Sequence, residues 1–206
     1  IDMQGTDLKL GDGGVIIQQL ESDDAGGIVT RKYEVPMQED DWSSVQPAQR
    51  EIPDSTAVFT DETLTGDIFN SVYGAKHALA VTLKHSSLTG VVSSSNANHL
   101  KADGTVAPGG WVFEMDNHWD AKTTADYKVV DPQAYLYAGR LKNTPAAPVN
   151  NPVKLTLEAS DWTPTGISYL SALAFDKDSR VSGTITVNGT QVEAPGSYVG
   201  NIVVRP

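Results

Sequence analysis

Alternation of apolar and polar residues recurs along this chain, and it restricts the fold more than any other feature. Val153, Leu155 and Leu157 alternate with Lys154, Thr156 and Glu158. Leu79, Val81 and Leu83 alternate with Ala80, Thr82 and Lys84. Ile185 and Val187 alternate with Thr184, Thr186 and Asn188, and Tyr198, Ile202 and Val204 share a face near the C-terminus. Val29, Tyr33 and Val35 share another within residues 28–35. A period of two sends successive side chains to opposite faces of a strand, so each segment buries one side and wets the other. Antiparallel sheets commonly have this character. The expectation is an all-β, antiparallel β-sandwich with long loops and at most one or two short helices.

Turn signals punctuate the strands. Asp12-Gly13-Gly14, Ala25-Gly26-Gly27, Pro108-Gly109-Gly110 and Pro195-Gly196 supply glycine where a turn needs positive φ. The clearest hairpin runs from Thr184–Val187 through Asn188-Gly189 into residues 190–193, and Pro195-Gly196 then opens the last strand. One segment has helical spacing: Leu64, Ile68, Phe69 and Val72 within residues 60–73, after an Asp61-Glu62 pair suited to a helix start. Residues 93–110 and 143–152, rich in Ser, Asn, Ala, Gly and Pro, read as long loops. No internal repeat stands out.

The 206 residues fit one elaborated domain, 1–206, long enough to fold without a disulfide or metal staple. The absence of cysteine excludes a disulfide framework, a thiolate zinc site and a cysteine nucleophile. The formal net charge of −11 repels phosphate backbones and anionic lipid, so nucleic acid is not expected, and no run approaches the roughly 20 apolar residues a membrane helix needs, so neither is membrane insertion. The start at Ile1 rather than methionine is consistent with a processed, extracytoplasmic protein.

Histidines 77, 85, 99 and 118 stand in no sequence that marks a nucleophile or metalloprotease, and no phosphate-binding glycine loop is present. No enzymatic activity, cofactor or metal is assigned. On a strand, Asp116, His118 and Asp120 project from one face, a set that can hold a transition metal or contact a ligand, against the alternative of a solvated edge. Asp176-Lys177-Asp178-Ser179-Arg180 places carboxylates at i and i+2 as calcium loops do, but its two cations and missing ligands favour a polar turn. Trp42, Trp119 and Trp162 lie beside carboxylates or amides, the composition of a sugar-binding surface; the alternative is that each plugs the core with its N–H bonded locally.

The C-terminal segment carries a more specific pattern: Gly196, Tyr198 and Gly200, then Ile202 and Val204. It resembles the last strand of subunits from chaperone–usher fimbriae, in particular the cysteine-free K88-like and CS6-like pilins, over about the last 25 residues. The resemblance implies an immunoglobulin-like sandwich that lacks its final strand, with the groove filled by a neighbour's N-terminal extension. The open edge would then lie along Ser197, Tyr198, Val199, Gly200, Asn201, Ile202, Val203 and Val204. Residues 1–13 would be the donor strand or an unstructured N-terminal segment, although residues 15–20 also suit a first strand. The function so implied is a structural or adhesive subunit of a bacterial surface fibre (fimbrium or pilus) that mediates cell adhesion. Its partners would be other subunits, a periplasmic chaperone and a host glycan or receptor. The alternative is a carbohydrate- or ligand-binding β-sandwich module of a secreted protein.

Overall fold

A computed structural model describes residues 1–5, 7–11, 14–20, 54–72, 77–100, 104–105 and 141–206. The chain divides into two compact units: Ile1–Glu21, Glu51–Asn96 and Pro145–Pro206 form the first, Ser22–Arg50 and Ala97–Thr144 the second. Residues 28–35, with their alternating Val29, Tyr33 and Val35, lie outside the described residues.

In the first unit the chain visits three sheets in turn and repeats the circuit. The first circuit is β1 (Asp2–Gln4), β2 (Asp7–Lys9) and β3 (Val15–Gln19). The second is β4 (Ser55–Thr60), β5 (Thr63–Thr65) and β6 (Asp67–Asn70), and the third is β7 (Leu79–Lys84), β8 (Ser87–Thr89) and β9 (Val92–His99). After β10 (Leu141–Pro145) come β11 (Val153–Glu158) and β12 (Asp161–Thr163), then β13 (Ser168–Phe175) and β14 (Arg180–Val181). Strands β15 (Thr184–Val187), β16 (Thr190–Val192) and β17 (Gly196–Arg205) close the chain.

The sheet orders are β1-β4-β7-β11-β13-β17-β15-β16, β10-β9-β6-β3 and β14-β12-β8-β5-β2. From β1 to β13 in the first sheet, throughout the last, and from β3 to β9 in the other, every pair is parallel. All-β is therefore the class, but the architecture is a parallel β-coil in which each circuit stacks on the one before. This corrects the expected antiparallel, immunoglobulin-like pairing. The C-terminal β13-β17-β15-β16 run is antiparallel. A period of two is the same for both senses of pairing, so alternation reports the strand and not its partner's direction.

In-register stacking builds the core from columns of like residues. Met3, Phe59, Leu83, Leu157 and Phe175 form one, and Ala57, Val81, Leu155 and Leu173 a second. Leu8, Leu64, Leu88, Trp162 and Val181 form a third, and Ile17, Ile68 and Val92 a fourth. Most are under 2% exposed, and each large side chain removed from water contributes about 1.5–3 kcal/mol.

The corners explain where the strands stop. Gly5, Asp61, His85 and Ala159 occupy equivalent corner positions and all have positive φ, 70°, 57°, 46° and 47°. Asp61 and His85 belong to the types that tolerate this conformation, whereas Ala159 does not. After Asp61, His85 and Ala159 the next residue, Glu62, Ser86 or Ser160, is buried, and the backbone N–H groups climb a ladder of hydroxyls. Glu62 N donates to Ser86 Oγ, Ser86 N to Ser160 Oγ and Ser160 N to Ser179 Oγ, each at 3.0 Å. At the following corner, a Cβ on Gly90 would overlap the carbonyl of Gly66, so only glycine lets these circuits stack.

Residues 60–72, the described part of the expected helix at 60–73, are not helical. They form β5 and β6, bent at Gly66 (φ 144°). Leu64 and Ile68 face the same interior because the bend resets the phase between two sheets, which mimics helical spacing. Residues 93–99, read as loop, continue β9 with Ser93, Ser94 and Ser95 buried. Their hydroxyls bond inside the coil: Ser94 Oγ donates to Asn151 O at 2.8 Å, and Ser71 Oγ and Ser95 Oγ share a bond of 2.6 Å. Within 143–152, Asn151 is likewise buried rather than at the surface.

Within residues 1–13, expected as a donor or unstructured segment, Asp2–Gln4 and Asp7–Lys9 pair with strands of the same chain. Over its described residues this segment is the first circuit of the chain's own coil, with Met3 opposite Phe59 and Leu8 opposite Leu64.

Candidate polar groove on the coil

The sheet made of β2, β5, β8, β12 and β14 faces outward with two columns of polar side chains. Asp7, Thr63, Ser87, Asp161 and Arg180 align in one, Lys9, Thr65, Thr89 and Thr163 in the other. Parallel strands place successive rows about 4.8 Å apart, and the two columns sit about 6.6 Å apart along each strand. The result is a regular array of hydroxyls bordered by carboxylates.

Beside the first column the corner residues open into a groove of about 410 Å³ lined by Asp61, Glu62, Thr63, His85, Ser86, Ser87, Ala159, Asp161 and Asp178. His85 Nδ1 lies 3.8 Å from Asp61 Oδ1, and both side chains are more than half exposed. The lining offers hydroxyl donors, carboxylate acceptors and one imidazole, with scarcely any apolar surface. Chemically this suits hydrogen bonding to a hydroxylated ligand lying along the coil. Carboxylates predominate, so an anionic ligand would be repelled.

Trp162 takes no part in it. The side chain is fully buried, and Nε1 donates to the Gly90 carbonyl at 2.9 Å. Its assignment as an exposed ligand platform is corrected: it is a core residue whose N–H caps a corner carbonyl. Trp42, Asp116, His118, Trp119 and Asp120 lie outside the described residues. Among the described residues no three His, Cys, Asp or Glu side chains cluster as a metal site would require, and no helix is long and apolar enough to cross a membrane.

The expected complementation edge is also revised. Residues 202–204 of β17 lie between β13 and β15, paired on both sides by their own chain: Ile202 opposite Leu170 and Val187, Val204 opposite Ser168 and Ile185. Ser197, Tyr198 and Val199 pair with β13 alone. The Gly-x-Tyr-x-Gly pattern has local causes. Tyr198 lies over Phe175, ring centroids 6.2 Å apart, and its hydroxyl donates to Ala194 O at 2.6 Å. Gly200, at φ 136°, sits in an irregularity of the β13–β17 register, where a Cβ would strike the Asn188 amide. Asn188-Gly189 forms the β15–β16 hairpin turn as expected, both residues at positive φ.

Asp176 anchors the turn after β13, and the turn reading of 176–180 holds. Its carboxylate accepts from Ser179 Oγ (2.7 Å), Asp178 N (3.1 Å) and Ala159 N (3.0 Å). The Ser179 hydroxyl foremost, then the Ala159 amide, hold this carboxyl below its ordinary range. A lowered folded-state pKa stabilises the fold above the unfolded value of about 3.9, and that contribution disappears as pH falls through the folded value. Asp176→Asn lacks the titration. The gap in melting temperature between wild type and variant is expected to narrow on acidification below about pH 4; a gap independent of pH would contradict the assignment.

The hydroxyl columns escaped sequence reading although a signal exists. Thr63-Leu64-Thr65-Gly66, Ser87-Leu88-Thr89-Gly90 and Asp161-Trp162-Thr163 repeat one pattern after each corner. Unequal spacing hides it, because segments of different length intervene between circuits. Comparisons with protein-family models, curated proteins and solved structures give no match.

Proposed function

We propose that this chain is a non-enzymatic, extracytoplasmic binding module whose β-coil holds a neutral, extended glycan along its polar groove. The in-register array of Thr63, Ser87, Thr65, Thr89 and Thr163 carries the reading. A repeated ladder of hydroxyls matches the repeated hydroxyls of a polysaccharide better than it matches a compact metabolite. The carboxylates beside it serve as acceptors. Binding is preferred over catalysis because, among the described residues, the Asp61 and His85 side chains stand more than half exposed to water. A fibre subunit that assembles through residues 197–204 is not the reading adopted, since β15 already pairs residues 202–204 of that edge.

Calorimetric titration with linear neutral oligosaccharides (gluco-, xylo- and chito-series) tests the proposal. Binding is expected with unchanged oligosaccharide length after incubation. Ser87→Arg with Thr89→Arg fills the strip from outside the core and is expected to weaken binding by tenfold or more, about 1.4 kcal/mol. Absence of binding across the panel, or binding indifferent to the double substitution, would overturn it.

A further inference from the structure

A second cavity, of about 380 Å³, opens between the β15–β16 hairpin and the corner that carries β14. Its origin follows from where two interior columns stop. Phe175 meets Gly196 of β17, which has no side chain to continue the first column. Val181 ends the third, because β14 is the last strand of its sheet among the described residues. The hairpin adds Ile185 and Val192, opposed across β15 and β16. Phe175 and Ile185 are buried and Val181 and Val192 partly so, which gives the cavity an apolar floor.

The rim is polar and carries two opposite charges, Arg180 of β14 and Glu193 just beyond β16. They border one cavity, yet among the described residues neither is in an ion pair. The Gln191 amide donates to Glu193 Oε1 at 3.0 Å and fixes that carboxylate on the hairpin side. The Ser179 hydroxyl is committed to Asp176 at 2.7 Å. Charge therefore sets this cavity apart from the hydroxyl-lined groove. An ion of either sign would be attracted by one wall and repelled by the other, whereas a zwitterion satisfies both. The volume and the apolar lining with a few convergent polar groups suit a small molecule, whose sites span roughly 300–1,000 Å³.

We infer that this cavity binds a free α-amino acid with an apolar side chain. The carboxylate lies on Arg180, the ammonium on Glu193, and the side chain over Phe175, Val181, Ile185 and Val192. An α-amino acid carries an anion, a cation and an apolar group on one carbon, and the cavity presents the complement of all three. The inference does not rest on the glycan groove, with which the cavity shares no lining residue.

Titration of the 206-residue chain with L-phenylalanine, followed by two-dimensional amide NMR, tests it. Saturable shifts are expected at Arg180–Thr184 and Gln191–Glu193, and none at Thr63 or Ser87. Phenethylamine lacks the carboxylate and phenylpropionate the ammonium, and each is expected to bind about threefold weaker or more. Glycine lacks the apolar group and should bind at least about tenfold weaker. Arg180→Gln should abolish the difference between phenylalanine and phenethylamine, and Glu193→Gln that between phenylalanine and phenylpropionate. Both side chains are exposed, so the fold should be retained, and the same spectra check this. The inference is overturned by the absence of saturable shifts, by shifts elsewhere alone, or by charge discrimination that survives both substitutions. Equal binding of N-acetyl-phenylalaninamide, which carries neither charge, would overturn it as well.

Discussion

Trp162→Ala is expected to destabilise the fold by about 3–5 kcal/mol, a large share of a typical domain's 5–15 kcal/mol. Two causes add. The indole stands in the column between Leu88 and Val181 and is fully buried, so truncation leaves a cavity walled on both sides by neighbouring circuits. Its Nε1 is also the donor to the Gly90 carbonyl, which sits at a corner too crowded to rearrange. Trp162→Phe separates the two: most of the volume stays, the donor goes, and the expected cost is about 1–3 kcal/mol for the unsatisfied carbonyl. Denaturant unfolding followed by circular dichroism measures both. A cost under about 1 kcal/mol for alanine would mean the column does not hold the stack. Glycan binding by Trp162→Phe should be unchanged, because the ring is on the inner side of the strand whose outer side faces the groove.

The sequence disclosed strands more readily than their arrangement. Leu79, Val81 and Leu83, and Val153, Leu155 and Leu157, are buried as their alternation requires. The hairpin at Asn188-Gly189 was legible because its turn type demands those residues. Direction was not, since a parallel circuit that exposes its outer face alternates just as an antiparallel strand does. Nor was the circuit itself. Gly5, Asp61, His85 and Ala159 are equivalent in space, yet share no side-chain chemistry and no constant interval. What they share is a backbone conformation that glycine advertises and alanine conceals. The buried Ser93-Ser94-Ser95 run misled for a related reason: hydroxyls satisfied across circuits look, in sequence, like hydroxyls satisfied by water.

Of the site, the composition pointed to sugar chemistry through tryptophan, whereas the proposed groove is built from threonine and serine. The one tryptophan described is needed inside, where a wide circuit must be filled. A hydroxyl column becomes visible only when β5, β8 and β12 are set side by side. The C-terminal Gly-Tyr-Gly pattern shows the opposite hazard: a local signature with local causes, a ring over Phe175 and a glycine beneath Asn188, can arise in a strand that its own chain pairs.

Asn70→Asp should be nearly as damaging as the loss of Trp162, although it changes almost no volume. Asn70 is fully buried at the third corner. Its Nδ2 donates to His77 O at 2.8 Å and Pro152 O at 3.0 Å, its Oδ1 accepts from Val72 N, and its backbone carbonyl accepts from Asn151 Nδ2. One amide thus ties the β6–β7 connection to the one that leads into β11. An aspartate keeps the acceptor but turns both donor contacts into oxygen facing carbonyl oxygen, within a site that water does not reach. A charge so placed costs several kcal/mol unless it takes up a proton. The carboxyl pKa should therefore rise well above its usual value of about 3.9. A raised folded-state pKa means that the penalty is full at neutral pH and shrinks as pH falls through that value. Unfolding measured from neutral to mildly acid pH is expected to show Asn70→Asp recovering part of its deficit, while Asn70→Ala, which lacks the same donors without a charge, shows a deficit independent of pH. Equal deficits for the two at every pH would show that the substituted carboxylate reaches solvent, and that the corner is open rather than sealed by its amide.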